Sequence, residues 1–298
     1  MIEETRTRFP DLPLGRACDL LEVNRGSYYR TTNRLRAHEE GASSPSQERE
    51  GTALREAIER ITVSCPAYGY RRVTAELHRQ GCRVNHKRVL RVMREESLLC
   101  HLQRSWVKTT DSEHGYRVYP NLLKNAGWRQ LTGINQAWAG DITYVRLREE
   151  FVYLAVLLDA FSRRVVGWNL SRRIDGALVL VALEKALLER EPEAGWIHHS
   201  DQGVQYACRE YVERVMEASG RISMSAKGTP RDNAQVERFM RTLKQEEVYL
   251  EEYEGYVESE EGIGHFIEAV YNQKRLHSAL GYRPPVEFEQ LWAAGLLH

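Results

Sequence analysis

No apolar run in the 298 residues reaches the length of a membrane span: Phe151 to Leu158 is short, and Asp159 ends it. Met1 to Pro13 has no apolar core, so no signal peptide is expected. The five cysteines, Cys18, Cys65, Cys82, Cys100 and Cys208, contain no Cys-x-x-Cys pair. An odd, scattered set suits reduced thiols in a cytoplasm. His78, Cys82 and His86 are four apart, yet Gly81 interrupts the helix that a zinc site there would need. Net charge is absent too, with 42 basic against 42 acidic residues, which at first argues against a nucleic-acid partner.

The distribution of charge argues otherwise. Residues 1–110 hold 20 Lys and Arg against 14 Asp and Glu, an excess of +6, so 111–298 carry −6. Within 66–108 there are ten basic residues and only three acidic ones, Glu76, Glu95 and Glu96. Phosphate binding depends on local basic surface, because counterions are displaced where contact occurs. A hydrophobic content of 42% and a charged content of 28% are those of a soluble globular protein, and the length predicts two or three domains.

Residues 12–32 read as a short helix and turn, and Thr31 to Ser46, with Gly41 and Pro45, as a linker. Helical periodicity covers Thr52 to Thr62 and breaks at Cys65-Pro66. Tyr68 to Leu99 predicts a helix-turn-helix: Arg72 to Gln80 makes one helix, Gly81 stops it, and Asn85 can cap a second from His86 to Glu96. In that second helix Lys87, Arg91 and Arg94 share a face with Arg88 beside them, while Val89, Leu90 and Met93 line another side. Such a stripe fits a DNA groove or, equally, a solvated helix face.

Residues 100–135 read as a connector, after which the pattern turns to strands. Trp138 to Leu147, Phe151 to Ala160 and Arg164 to Leu170 predict an antiparallel meander. A helix (Ala177 to Glu191), a strand (Trp196 to Ser200), a helix (Arg209 to Ser219), a strand (Arg221 to Ser225) and a long helix (Ala234 to Leu250) follow. The order β-β-β-α-β-α-β-α is that of the ribonuclease-H-like fold, an α/β architecture with a mixed five-stranded sheet.

In that order the first and fourth strands are neighbours, so Asp141 on one and Asp201 at the end of the other can bring their carboxylates together. Glu237 comes from the long helix, which Asp232 or Asn233 can cap, with Gln235 as capping-box partner. Val236, Phe239, Met240 and Leu243 form its apolar stripe, and Glu237, Arg241 and Lys244 share another face. Two unit charges ~4 Å apart cost about 1 kcal/mol in water and about 4 kcal/mol at an effective dielectric near ~20. Three carboxylates therefore need a cation or retained protons. Oxygen-only ligands select hard cations such as Mg²⁺, and two such ions about 3.5–4 Å apart serve in-line displacement at phosphorus. Asp159 lies before Ala160-Phe161-Ser162-Arg163, where turn-making explains it; His198 and His199 are open to a ligand, base or structural reading.

Trp138-Ala139-Gly140-Asp141-Ile142-Thr143-Tyr144, His199-Ser200-Asp201-Gln202-Gly203, and Asp232-Asn233-Ala234 with Glu237 and Lys244 carry a likeness to a known family. Tyr68-Gly69-Tyr70-Arg71-Arg72, Asn85-x-Lys87-Arg88-Val89 and Tyr271-Asn272-x-x-Arg275-x-His277-Ser278 add to it. The chain resembles the OrfB transposases of the insertion-sequence-three family, within the retroviral-integrase-like superfamily. The resemblance implies an Asp141, Asp201 and Glu237 triad that holds two Mg²⁺ ions, with Mn²⁺ able to replace them. It also implies cleavage at element ends, transfer of the 3′-hydroxyl to target DNA, and DNA contact at Lys244. Arg231 and Arg238 depart from the family pattern. Implied partners are element-end and target DNA, further copies of the chain, and an upstream-frame helix-turn-helix protein. The implied location is the bacterial cytoplasm, at the nucleoid.

The expected organisation is a helical segment and linker (1–46), a helix-turn-helix region (47–110), a connector (111–134), a ribonuclease-H-like core (135–252) and a C-terminal helical extension (253–298). Arg71, Arg72, Lys87, Arg88, Arg91, Arg94, Arg241 and Lys244 are the candidate DNA contacts. Arg275 and His277 are candidates too, with packing of the last helix as the alternative. The eight glutamates between 246 and 261 are read as a solvated face or subunit contact, and Lys227 to Asp232 as a loop that orders on DNA. A non-catalytic DNA-binding regulator and a nuclease that hydrolyses without joining are the competing functions.

Overall fold

The computed structural model describes residues 13–21, 23–24, 26, 28–29, 45–100, 115–124, 127–226 and 230–297. Most of the expected linker, residues 101–114 of the connector and residues 227–229 of the expected DNA-ordered loop lie outside them. Two compact units result, Met1–Ala57 and Ile58–His298. In the first, α1 (Leu14–Leu20) buries Ala17 and Cys18. α2 (Pro45–Ser64) begins there and ends in the second. Among the described residues no helix is long and apolar enough to cross a membrane.

The second unit opens with α3 (Tyr70–Arg79) and α4 (His86–Glu95), the helix-turn-helix. Gly81 turns the chain at φ +84°, a backbone region that L side chains resist. Asn85 caps α4 by accepting the Lys87 N–H at 2.9 Å. The buried side of α4 is Val89, Val92 and Met93. Leu90, expected among them, is only half-buried, because it points about a quarter-turn away from their common direction.

The strands β1 (Ala137–Arg146), β2 (Phe151–Asp159) and β3 (Val165–Ser171) form an antiparallel meander. After α5 (Gly176–Arg190), the short β4 (Ile197–Ser200) joins β1 in parallel. Two helices, α6 (Val204–Ala207) and α7 (Arg209–Glu217), lead to β5 (Arg221–Met224), which pairs in parallel with β4. The order β3-β2-β1-β4-β5 is the ribonuclease-H-like sheet. β1 is buried on both faces along most of its length, as a central strand must be. Trp138 and Ile142 face the layer of α5 to α7, while Ala139 and Val145 face the opposite layer. At Gly167 on β3 a Cβ would stand 2.3 Å from the Ala182 carbonyl, so glycine lets α5 lie close on the sheet.

The opposite layer starts with α8 (Ala234–Leu243). The long helix expected to Leu250 instead widens into a π turn over Lys244–Val248. α9 (Tyr256–His265) runs into a second π turn, Phe266–Tyr271, and α10 (Pro285–Ala293) closes the chain. The Asn272 amide exchanges two 3.0 Å hydrogen bonds with Val165, donating to its carbonyl and accepting its N–H. A side chain thus stands in for a strand at the edge of β3. Glu289 is buried among Arg190, Arg164 and the Ser162 hydroxyl, bonding each within 2.9 Å. The Leu276 N–H donates to the Tyr68 hydroxyl at 2.8 Å, and Arg79 bonds both carboxylate oxygens of Glu287. The C-terminal signature is therefore the seam between the helix-turn-helix and the sheet.

Candidate active site

Strand register brings the two aspartates together. The last parallel pair of β1 with β4 is Ala139 with His199, and Asp141 and Asp201 each lie two residues further along. Asp141 is half-buried, and its carboxylate accepts the Ile142 N–H at 2.9 Å. Burial, then the negative charge of Asp201 and that of Glu237, push the Asp141 carboxyl up to about 8, against the pull of the Ile142 N–H and Lys244. Asp201 accepts the Gly203 N–H at 2.9 Å, closing the turn into α6. Glu237 stands exposed on the first turn of α8; burial of its carboxyl, opposed by Arg241 and helped by Asp201, holds it above the usual carboxylate range.

The three carboxylates thus act on one another through space. Among the described residues no three His, Cys, Asp or Glu side chains stand close enough to ligate one ion as they are. The donor set nevertheless suits a hard divalent cation. It is all carboxylate oxygen, and Asp141 keeps its proton near neutral pH unless positive charge arrives.

Polar contacts that local sequence reasoning missed hold the site. Asn233 does not cap α8; its amide donates to the Gly140 carbonyl at 3.0 Å, tying the start of that helix to the residue before Asp141. Asp232 accepts from the Asn121 amide at 3.0 Å instead of capping. The connector is anchored there: the Leu122 N–H donates to the Ser223 hydroxyl at 2.9 Å, and that hydroxyl also meets His199 Nδ1 at 2.8 Å. Trp128 packs edge-on against the His199 ring. His198 bonds the Tyr211 hydroxyl at 2.8 Å. Burial lowers His198 to about 3 and His199 to about 4, so both are neutral, structural imidazoles. Asp159 accepts the N–H groups of Asn135, Phe161 and Ser162, the turn-making role read from its position. No signal short of the three-dimensional pairing marks Asn121 or Asn233 for these partners.

The candidate DNA contacts divide into two groups. Lys87, Arg88, Arg91 and Arg94 are exposed along α4, and among the described residues none of them makes an ion pair. Arg71 is exposed against the Tyr70 ring, and Arg241 is exposed on α8. Lys244 is half-buried with its ammonium 4.2 Å over the Tyr144 ring; burial lowers its pKa and Asp141 opposes that. The rest face inward. Arg275 is 5% exposed and bonds both oxygens of Glu246 at 2.7 Å, so it packs the C-terminal segment and is not a surface phosphate contact. His277 sits half-buried against Tyr271, and burial with the charges of Arg275, Arg72 and Arg163 lowers it to about 2, leaving no cation for phosphate. Arg72 is half-buried over the Tyr68 ring beside the same pair. Glu246 and Glu247, which accepts from Tyr253, likewise leave the expected solvated acidic face.

Comparison with known proteins agrees with this architecture. Models described as integrase core domain match residues 132–230 and 219–285, and one described as an HTH-like domain matches 49–106. The transposase for insertion sequence element IS904 of Lactococcus lactis is 37% identical over 223 residues, 75% of this chain and 87% of the relative. An uncharacterized 31 kDa protein of insertion element IS600 from Shigella sonnei is 35% identical over 92% of this chain and 97% of its own length. Transposase InsF for insertion sequence IS3A of Escherichia coli is 38% identical over 77% and 79%. Among solved structures, a simian T-cell lymphotropic virus intasome chain aligns at a TM-score of 0.45 and 16% identity, covering 78% of this chain and 74% of that one.

Proposed function

This chain belongs to the IS3 family of transposases, a group of DDE polynucleotidyl transferases, and on that footing we propose that Asp141, Asp201 and Glu237 are its catalytic triad. The reaction is cleavage of DNA at the ends of an insertion element, followed by joining of the exposed 3′-hydroxyl to target DNA. The triad would hold two Mg²⁺ ions, or Mn²⁺ in their place. When bound, such ions activate the attacking oxygen and stabilise the leaving one. The observation that carries this reading is the placement of Asp141 and Asp201 two residues beyond the last β1–β4 pair, with Glu237 on the helix that Asn233 ties to Gly140. Burial, and after it the charges of Asp201 and Glu237, push the Asp141 carboxyl up to about 8, a cost that a bound cation relieves.

The chain's own residues supply the rest. The Asn233 amide sets the height of α8 against β1, which sets Glu237 against Asp141. Lys244, in the π turn that continues α8 and held over Tyr144 of β1, presents a cation beside the acids for the DNA backbone, and Arg241 a second one turn earlier. The exposed bases of α4 supply a further phosphate-binding surface. The helix-turn-helix (47–110), connector (111–134), core (135–252) and extension (253–298) act together in this reading. Assembly of further copies on DNA, a partner from an upstream frame, and residence at the nucleoid complete it.

Asp141→Asn tests the assignment. The folded variant should lose Mg²⁺-dependent cleavage and joining of labelled element ends while retaining DNA binding; undiminished joining would refute the triad. The same assay separates a nuclease, which would yield cut ends and no joined product.

A further inference from the structure

Two motifs far apart in the sequence meet at one place in the fold. Tyr68, two residues before α3, is 3% exposed, and its hydroxyl accepts the Leu276 N–H at 2.8 Å. Arg79, the last residue of α3, donates to both carboxylate oxygens of Glu287, in the first turn of α10, at 3.0 Å and 2.6 Å. The helix is therefore pinned at both ends to the C-terminal segment. α4 is held to α3 in turn: the Cys82 N–H donates to the Leu77 carbonyl at 2.8 Å, and His78 Nε2 meets the Val84 carbonyl at 2.8 Å. Across the seam the same segment grips α8. The Tyr271 ring meets the Phe239 ring edge-on at 4.7 Å, two residues from Glu237, and Arg275 bonds Glu246 in the π turn that continues α8. The Val286 N–H donates to the Asn272 carbonyl at 3.0 Å, tying α10 to the end of the second π turn. Direct contacts thus run without a break from the exposed bases of α4 to the helix that carries Glu237.

Magnitudes separate a geometric role from a stabilising one. The Arg79–Glu287 pair keeps 40% and 32% of its side-chain surface in water, which screens it, so it adds little to stability. Its effect on geometry is larger. α3 has ten residues and is ~15 Å long, so a pivot of roughly 15° about the Tyr68 end swings the other end by about 4 Å. Successive base pairs lie about 3.4 Å apart along DNA, so losing one anchor permits a slip of one step. Both anchors together prevent that swing. Resting on the triad and on phosphate binding by α4, both proposed above, we propose that the seam is a ruler. Tyr68, Arg79 and Glu287 are positioning residues that fix which phosphodiester the triad cuts, relative to the DNA held on α4.

Arg79→Glu in the full chain tests this, with the cut and joined 3′ ends of labelled element-end DNA mapped to the nucleotide. Wild type should cut at one dominant position. The variant should fold as wild type does, since Arg79 is exposed, and should spread its cuts onto the neighbouring phosphodiesters with total cutting little changed. Adding Glu287→Arg reverses the pair and should restore the single position. Neither lost stability nor a lost DNA contact at Arg79 could produce that rescue. Tyr68→Phe removes the acceptor of the Leu276 N–H and should spread the cuts in the same way, measured well below its melting temperature. Arg91→Ala should weaken DNA binding and leave the cut position where it is. An Arg79→Glu chain that cuts as sharply as wild type, or a spread that Glu287→Arg fails to narrow, overturns the inference. Asp141→Asn that still cuts would instead sink the triad. Wild-type DNA affinity after Lys87, Arg88, Arg91 and Arg94 are all replaced by alanine would sink the DNA role of α4.

Discussion

The Asn233 amide donates to the Gly140 carbonyl across 3.0 Å, joining the residue before Asp141 to the residue one turn before Glu237. One buried hydrogen bond thereby links the two elements that must agree if the acids are to act together. β4 pairs with β1 only at Ala137 to Ala139, so this amide bonds β1 just past the point where strand pairing stops. Substitution there tests whether registration, rather than mere stability, matters.

Asn233→Ala leaves the Gly140 carbonyl without this donor and should cost about 1–3 kcal/mol of stability. Joining at saturating Mg²⁺ should drop about tenfold or more even well below the melting temperature, because the helix carrying Glu237 loses its reference point. A variant with reduced melting temperature but wild-type joining would show that the contact only stabilises.

Arg275→Ala should destabilise the chain by about 3–5 kcal/mol, since it leaves Glu246 partly buried without its guanidinium. Replacing both partners, Arg275→Met with Glu246→Leu, should recover most of that loss. Denaturant unfolding of the two variants checks this. A DNA-contact role would instead predict wild-type stability and a shallower salt dependence of binding.

Arg91→Ala should behave in the opposite way. Its exposed side chain leaves stability within about 0.5 kcal/mol of wild type. If α4 binds phosphate, the slope of log affinity against log salt should shrink by about one unit, measured by titration with duplex DNA. An unchanged slope would leave α4 a solvated face.

Metal-free stability should peak at a pH between about 6 and 7. His198 and His199, lowered to about 3 and about 4, stay neutral in the fold while the unfolded chain takes up protons below its usual imidazole value, so stability falls as pH drops from about 6.5 toward 4. Asp141, raised to about 8, holds a proton that the unfolded chain releases near pH 4, so its contribution declines as pH rises toward about 8. Asp141→Asn should remove the alkaline decline and leave the acid one. Thermal melting across pH, with chelator present, reads both limbs.

Much of the site was legible because it depends on strand order. Apolar runs of strand length and an amphipathic helix place Asp141, Asp201 and Glu237 at one end of a sheet, whatever the detailed packing. The outer polar shell was not legible. Asp232 and Asn233 have the residue types of helix caps, yet their side chains reach Asn121 and Gly140, 111 and 93 residues away. Glu246 read as part of a solvated face or subunit contact and Arg275 as either a phosphate contact or a packing residue, and the π turn at Lys244–Val248 lies where Glu246 meets Arg275.

Periodicity and element order by themselves determined the sheet and the adjacency of β1 with β4, and so which strands carry Asp141 and Asp201. These follow from local preference and from the few ways a β-β-β-α-β-α-β chain can pack. Only the tertiary structure decided which polar groups face water and which spend their hydrogen bonds inside, for burial is set by neighbours that arrive from distant parts of the chain. That is why Arg91 stays a candidate for phosphate and Arg275 does not.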